Sequence, residues 1–301
     1  MNSPAVSRRG ALKTLAATAT LGSLGYAASG ALAAVGRSAS SPATSGAGGL
    51  RQSVVAWCFN PMPVPELAQH AVKLGLKSVE LCDPKFWPGL KALGLTCAIA
   101  GSHGFAKGFA HPEEHDACLK ILRDRIEQCA AAGVERVITF SGFRRGLSDA
   151  EGIRNMVTGL KKIVGFAEEK KVTLCLEMLN SRVDVTMKGH PDYFCDDIER
   201  TVDICRQVGS ERLKVLFDLY HVQIMHGDLI TRIRQHAPYI GHVHTAGVPG
   251  RGEIDETQEM NYPPLIRALR DAGYTGFVGQ EFIPVRDKIA SLAEAVQICT
   301  V

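Results

Sequence analysis

Thr173-Leu174-Cys175-Leu176-Glu177-Met178 and Lys214-Val215-Leu216-Phe217-Asp218-Leu219 decide how this chain is read, because a stretch of helical periodicity, 193–208, lies between them. Each run is short, almost wholly apolar, and carries a carboxylate near its end. A run apolar at every position is buried on both faces, the pattern of a parallel strand covered by helices. Strand, helix and second strand in that order make one βαβ unit.

The alternation continues outward in both directions. Strands are predicted at 53–59, 77–82, 96–102 and 136–141 before this unit, and at 241–245 and 276–282 after it. Helices are predicted over 64–75, 85–93, 112–132, 148–170, 224–236, 261–273 and 286–299. Several end on glycine, as in Lys73-Leu74-Gly75, Ala131-Ala132-Gly133 and Asp271-Ala272-Gly273, where a left-handed closing residue costs glycine little. Eight such pairs in about 250 residues predict an α/β chain folded as a single (β/α)8 barrel over 51–301. An open doubly wound sheet is disfavoured. The first strand-to-helix turn, Asn60-Pro61-Met62-Pro63, has no glycine-rich phosphate loop, and no GxGxxG follows any strand.

Residues 1–34 stand apart. Ser7-Arg8-Arg9-Gly10-Ala11-Leu12-Lys13 precedes an uncharged run rich in Ala, Leu and Gly, and Ala31-Leu32-Ala33 has the small-x-small pattern of a cleavage site. This reads as a twin-arginine-type export signal, cut near Ala33 or Ala34, implying the twin-arginine export machinery as a partner and a periplasmic or otherwise exported location. The run falls short of the about 20 strongly apolar residues of a membrane anchor. Residues 35–50 are small and polar and are expected to form a flexible linker.

Of the 34 basic residues, Arg8, Arg9 and Lys13 lie in the signal, which leaves 31 against 31 acidic ones. A balanced surface lacks the positive field that phosphate binding needs, so nucleic acid is not an expected partner. The nine cysteines are scattered singly with no CxxC pair, and are read as small core residues. Assembly into a homo-oligomer is left open.

In barrels of this kind the chemistry sits at the C-terminal strand ends. There the second half places Glu177, Asp218, His244 and Glu281, one on each of four successive predicted strands. Any one alone would read as a helix cap or ion-pair partner. Three carboxylates on one buried rim repel one another and call for a cation among them. With one imidazole they form an oxygen-rich set suited to a single divalent ion, Mn, Mg or Co, with Zn also compatible. Trp57, Phe59 and Trp87 read as packing aromatics.

Leu176-Glu177-Met178-Leu179-Asn180, Asp218-Leu219-Tyr220-His221 and Val248-Pro249-Gly250-Arg251-Gly252-Glu253-Ile254-Asp255 carry a resemblance to the xylose isomerase-like barrel superfamily. Within it, the last segment is similar to the hydroxypyruvate isomerase family. The resemblance implies that Glu177, Asp218, His244 and Glu281 hold one metal, that Glu177 and Glu281 are the acid/base pair, and that His221 contacts substrate oxygen. Arg251 is expected to clamp a substrate hydroxyl or carboxylate, with Asn180, Arg182 and His103 as further substrate-facing candidates. That family tends to place Gln where this chain has His244, a choice nearer the ketose epimerases. The expected activity is isomerisation of a small hydroxy-carbonyl compound through an enediolate. The alternatives are a ketose 3-epimerase, an inosose-type isomerase or dehydratase, and a non-catalytic exported sugar-binding barrel.

Overall fold

In the computed structural model, which describes residues 49–301, seven parallel strands form one sheet. They are β1 (Arg51–Val55), β2 (Ser78–Glu80), β3 (Arg136–Thr139), β4 (Thr173–Glu177), β5 (Leu213–Asp218), β6 (Ile240–Thr245) and β7 (Phe277–Gln280). Their order across the sheet is β2-β1-β7-β6-β5-β4-β3. The export signal and all of the linker before Gly49 lie outside the described residues.

The predicted third strand, 96–102, forms no ladder of its own. It meets β2 at Thr96 and β3 at Ala100 through single bridges. Between these points the Ser78 hydroxyl takes the Ala98 N–H at 2.8 Å, so a side chain replaces the strand partner and the segment bends. Backbone bonds Val79 N–H to Thr96 C=O and Ile138 N–H to Ala100 C=O nevertheless tie it to both end strands of the sheet. The result is a TIM-barrel-like α/β fold whose two sheet ends are linked by this segment.

Nine helices occur among the described residues: α1 (Val64–Lys73), α2 (Trp87–Ala92), α3 (His115–Ala132), α4 (Asp149–Lys170), α5 (Ile198–Val208), α6 (Leu219–Met225), α7 (Leu229–His236), α8 (Tyr262–Asp271) and α9 (Lys288–Ile298). The predicted helix 224–236 is divided, because Gly227 and Asp228 both adopt left-handed backbone between α6 and α7. The predicted helix 193–208 starts only at Ile198, where the Asp197 carboxylate accepts the Arg200 N–H at 2.8 Å. Residues Tyr193, Phe194 and Cys195, expected in that helix, are instead buried beside the strand ends. The Tyr193 hydroxyl accepts the Ser141 N–H at 3.0 Å and donates to the Glu177 carbonyl at 3.1 Å, which ties down the end of β4.

The strands bury as their composition requires. Leu174, Cys175, Leu176, Val215, Leu216, Phe217, Val243 and Val278 are fully inaccessible, and α5 turns Ile198, Val202, Cys205 and Val208 onto them. All nine cysteines are buried and unpaired. No helix among the described residues is long and apolar enough to cross a membrane.

Candidate active site

Parallel strands that start at one level also end at one level, so their last residues share a rim. β4 ends on Glu177, β5 on Asp218, β6 carries His244 one residue before its end, and Glu281 follows the last residue of β7. The register sets Asp218 beside His244 and His244 beside Gly279. One side-chain oxygen or nitrogen from each of Glu177, Asp218, His244 and Glu281 lies within 4.8 Å of the others, and all four residues are buried. His244 Nδ1 is 2.9 Å from Glu281 Oε2 and 3.8 Å from Glu177 Oε1. Asp218 serves two ends: its Oδ1 caps α6 by accepting the Tyr220 N–H at 2.8 Å, while its buried Oδ2 has no hydrogen-bond partner among the described residues.

Burial pushes these carboxyl groups up, and their neighbours then separate them. Burial dominates at Asp218, raised to about 7 although Arg251 opposes the shift, and at Glu177, where the charge on Glu281 adds to the rise. Glu281 goes the other way: Arg251 and His244 outweigh its burial and hold it well below the usual carboxylate range. Two carboxyl groups whose environments separate them in this way suit one to hold a proton and the other to take one.

Arg251 stands on the loop after β6 with left-handed backbone, φ 56°, a strained state for a non-glycine residue that its contacts hold in place. Its carbonyl accepts the Ile283 N–H at 2.6 Å, which joins the loop to the segment after β7. Glu253, two residues on, accepts the Val285 and Arg286 N–H groups at 2.7 and 2.9 Å and the Ser291 hydroxyl at 3.2 Å. So fastened, Arg251 donates from Nη2 to Glu281 at 2.5 Å and from Nη1 to the Met187 carbonyl at 2.7 Å, with Asp218 Oδ2 at 3.5 Å.

His221 is fully buried on α6. Its Nδ1 accepts the Asn180 backbone N–H at 3.0 Å and lies 2.7 Å from the Asn180 amide nitrogen, which itself donates to the Lys188 carbonyl. An acceptor at Nδ1 leaves the proton on Nε2, which lies 3.6 Å from Asp218 Oδ2. Burial, with Arg251 adding to it, holds His221 well below the usual histidine range and therefore neutral. Asn180 thus orients His221 from beneath. Arg182 is exposed and donates to the Ile224 carbonyl at 2.9 Å, away from the cluster. His103 is held by the Thr139 hydroxyl at 3.0 Å and the Lys107 carbonyl at 3.1 Å, behind the pocket wall.

A cavity of about 210 Å³ opens over the cluster, lined among others by Trp57, Phe105, Glu177, Met187, His190, Arg251 and Glu281. It is smaller than the roughly 300–1,000 Å³ of sites for drug-sized ligands, so a compact substrate fits it. Trp57, read from sequence as packing, is part of the site. Its indole N–H donates to Glu281 Oε1 at 3.3 Å, and the Arg251 guanidinium stacks 5.3 Å from the ring. Phe59 and Trp87 are core residues as expected. A larger groove of about 790 Å³, lined by Pro84, Trp87, Gln128 and neighbours, has among the described residues Lys91 as its one charged lining residue and no cluster of groups that could do chemistry.

Two further buried polar residues were missed: Glu80 and His242, both fully inaccessible. Their signal was present, as a single Glu inside the apolar run Val79-Glu80-Leu81 and a second His two residues before His244. Strand alternation turns His242 and His244 to the same face.

Residues 68–298 match the family model described as Xylose isomerase-like TIM barrel, and the chain belongs to that family. A protein from Homo sapiens named "Putative hydroxypyruvate isomerase" is 29% identical over 253 residues, 82% of this chain and 84% of that protein. The 2-oxo-tetronate isomerase of Cupriavidus necator is 33% identical over 65% of this chain and 75% of its own length. Among solved structures, the AP endonuclease, family 2, from Brucella melitensis superposes with a TM-score of 0.70 at 26% identity, covering 81% of this chain and 98% of that one. The chain is an enzyme of isomerase type.

Proposed function

We propose that this chain is a metal-dependent isomerase of the hydroxypyruvate isomerase type, acting on a small hydroxy-carbonyl compound such as hydroxypyruvate or a related short oxo acid. One observation carries the reading. Three carboxylates and an imidazole converge within 4.8 Å in a buried site where, among the described residues, Arg251 is the sole guanidinium in contact with them. That negative excess, with an Asp218 Oδ2 to which no described residue hydrogen-bonds, fits a divalent cation held by Glu177, Asp218, His244 and Glu281. Mn, Mg and Co suit the oxygen-rich donors, and Zn is compatible with them. When bound, such an ion supplies positive charge to substrate oxygens on which negative charge develops.

The chain's own groups do the rest. Glu281, ionised and oriented by Trp57 and Arg251, takes a proton from the hydroxyl-bearing carbon beside the carbonyl. Glu177, which lines the same cavity, returns a proton to the former carbonyl carbon. The hydroxyl proton passes to the former carbonyl oxygen in the same exchange. The apolar walls Phe105 and Met187 keep water from competing for the enediolate. Reversing the order of the two glutamates runs the reaction backwards.

An endonuclease reading is disfavoured by the balanced charge of residues 35–301, which offers no basic field for a phosphate backbone. We further propose a single (β/α)8 domain exported by the twin-arginine signal at Arg8-Arg9. Replacing both with lysine should strand the protein in the cytoplasm, and unchanged location would refute the signal. For the activity, the protein is incubated in D2O with hydroxypyruvate, 2-oxo-tetronate and a panel of ketoses, with products identified by NMR. The reading expects deuterium in an isomerised short oxo acid. Exchange with ketoses alone would transfer the site to a 3-epimerase, and ligand binding without any exchange to a sugar-binding protein.

A further inference from the structure

The four-donor cluster leaves Glu80 and His242 without a part in the proposed chemistry, although burying both is costly. Glu80 lies on the far side of His244 from the cluster. Its Oε1 is 3.2 Å from His244 Nε2 and its Oε2 is 2.9 Å from His242 Nε2. The other ring nitrogen of His244, Nδ1, faces Glu281 and Glu177. The imidazole therefore stands between two sets of carboxylates, one at each nitrogen.

Gly279 makes room for this arrangement. It sits beside His244 in the sheet register, and a Cβ there would lie 2.0 Å from Glu80 Oε1 and 2.7 Å from His244 Cδ2. Any side chain at 279 would drive the Glu80 carboxylate off the His244 ring. His242 Nε2 stands beside the other oxygen, from the same strand as His244, so each carboxylate oxygen has an imidazole nitrogen within ion-pair distance.

We propose that Glu80, seated by Gly279 and held by His242, is a positioning residue that fixes His244 with its proton on Nε2 and its Nδ1 lone pair toward the metal-binding carboxylates. The inference rests on the metal reading given above. A carboxylate behind an imidazole ligand sets the ring's tautomer and orientation and makes it more basic, and removing such a partner weakens metal binding by about 10- to 100-fold. Glu80, His242 and His244 also lie close enough to one another to hold an ion of their own. That arrangement would need His244 to lose its Nε2 proton, and it predicts a different stoichiometry.

The test is calorimetric titration of the EDTA-stripped full chain with MnCl2, for the parent protein, Glu80→Gln and Gly279→Ala, beside 15N spectra of the histidine-labelled, Zn-loaded parent. One equivalent per parent chain is expected, with affinity about 10- to 100-fold weaker in both variants and circular dichroism unchanged. The spectra should show His244 protonated at Nε2 and metallated at Nδ1. Parent-like affinity in a folded variant, metal on Nε2, or two equivalents per chain would overturn the proposal. Gly279→Ala alters no charge, so it decides if Glu80→Gln does not fold, and the parent spectrum decides if neither does. A parent chain that takes up no metal would instead bring down the metal reading, and this inference with it.

Discussion

The guanidinium of Arg251 donates to the carboxylate of Glu281 across 2.5 Å, with both side chains almost wholly withdrawn from solvent. A buried ion pair of this kind is costly to break from one side, because the remaining charge has no water to turn to. Arg251→Met should therefore lower the stability of the metal-free protein by about 3–5 kcal/mol, with a smaller loss when metal is bound, since a cation then compensates Glu281. Denaturant unfolding with EDTA and with MnCl2 measures both. Equal losses in the two conditions would mean that the arginine and the metal do not share the same carboxylates.

Glu177 and Glu281 are assigned to proton transfer, so replacing either with Gln preserves shape and removes the base. Each substitution should lower kcat by about 10²- to 10⁴-fold, with KM changing much less. Steady-state kinetics on the substrate identified by deuterium exchange would check it. A loss confined to KM would reduce both residues to binding.

Asp218 sets a pH dependence. Burial raises its carboxyl in the metal-free fold to about 7, so metal must displace a proton below that pH and bind an already ionised group above it. Affinity should rise with pH towards 7 and go on rising above it, because Glu281, Glu177 and Glu80 outweigh burial and hold a proton on His244 well above the usual histidine range, which metal must displace as well. The stability of the metal-free protein moves oppositely. A carboxyl raised on folding binds more protons folded than unfolded, so its contribution is complete below the unfolded value near 4 and is lost as pH rises through about 7. Calorimetry and thermal unfolding across pH 5 to 8 test the two signs together.

Tyr193 links packing to catalysis, because its buried hydroxyl accepts the Ser141 N–H and donates to the Glu177 carbonyl. Tyr193→Phe leaves both backbone groups unpaired and should destabilise the fold by about 1–3 kcal/mol. Since Glu177 loses a restraint, kcat should fall as well. A variant that unfolds earlier at unchanged kcat would show that the end of β4 is held by other contacts.

The barrel strands were legible because they are buried on both faces and therefore apolar throughout, as in Leu174-Cys175-Leu176 and Val215-Leu216-Phe217. What was not legible depends on single local bonds. The third strand gave way to bridges because Ser78 captured the Ala98 N–H. The stretch 193–195 packed as irregular chain because the Tyr193 hydroxyl found its partners across the barrel rim. In the site, the rim positions of Glu177, Asp218, His244 and Glu281 follow from strand ends alone. Glu80 escaped because a lone Glu at the end of a three-residue strand carries no pattern of its own, and its contact with His244 depends on a glycine two strands away, whose meaning appears only in three dimensions. Trp57 escaped because nothing in an aromatic residue after an apolar strand tells packing from a hydrogen bond to Glu281.

The central claim is that Glu177, Asp218, His244 and Glu281 hold one divalent ion. The most direct measurement is elemental analysis of the protein after loading with Mn and removal of free metal, beside Asp218→Asn, which replaces the unpartnered Oδ2 while leaving an oxygen to cap α6. Close to one ion per parent chain, and little in the variant, is the predicted result. No retained metal in the parent, or equal retention in both, would contradict it.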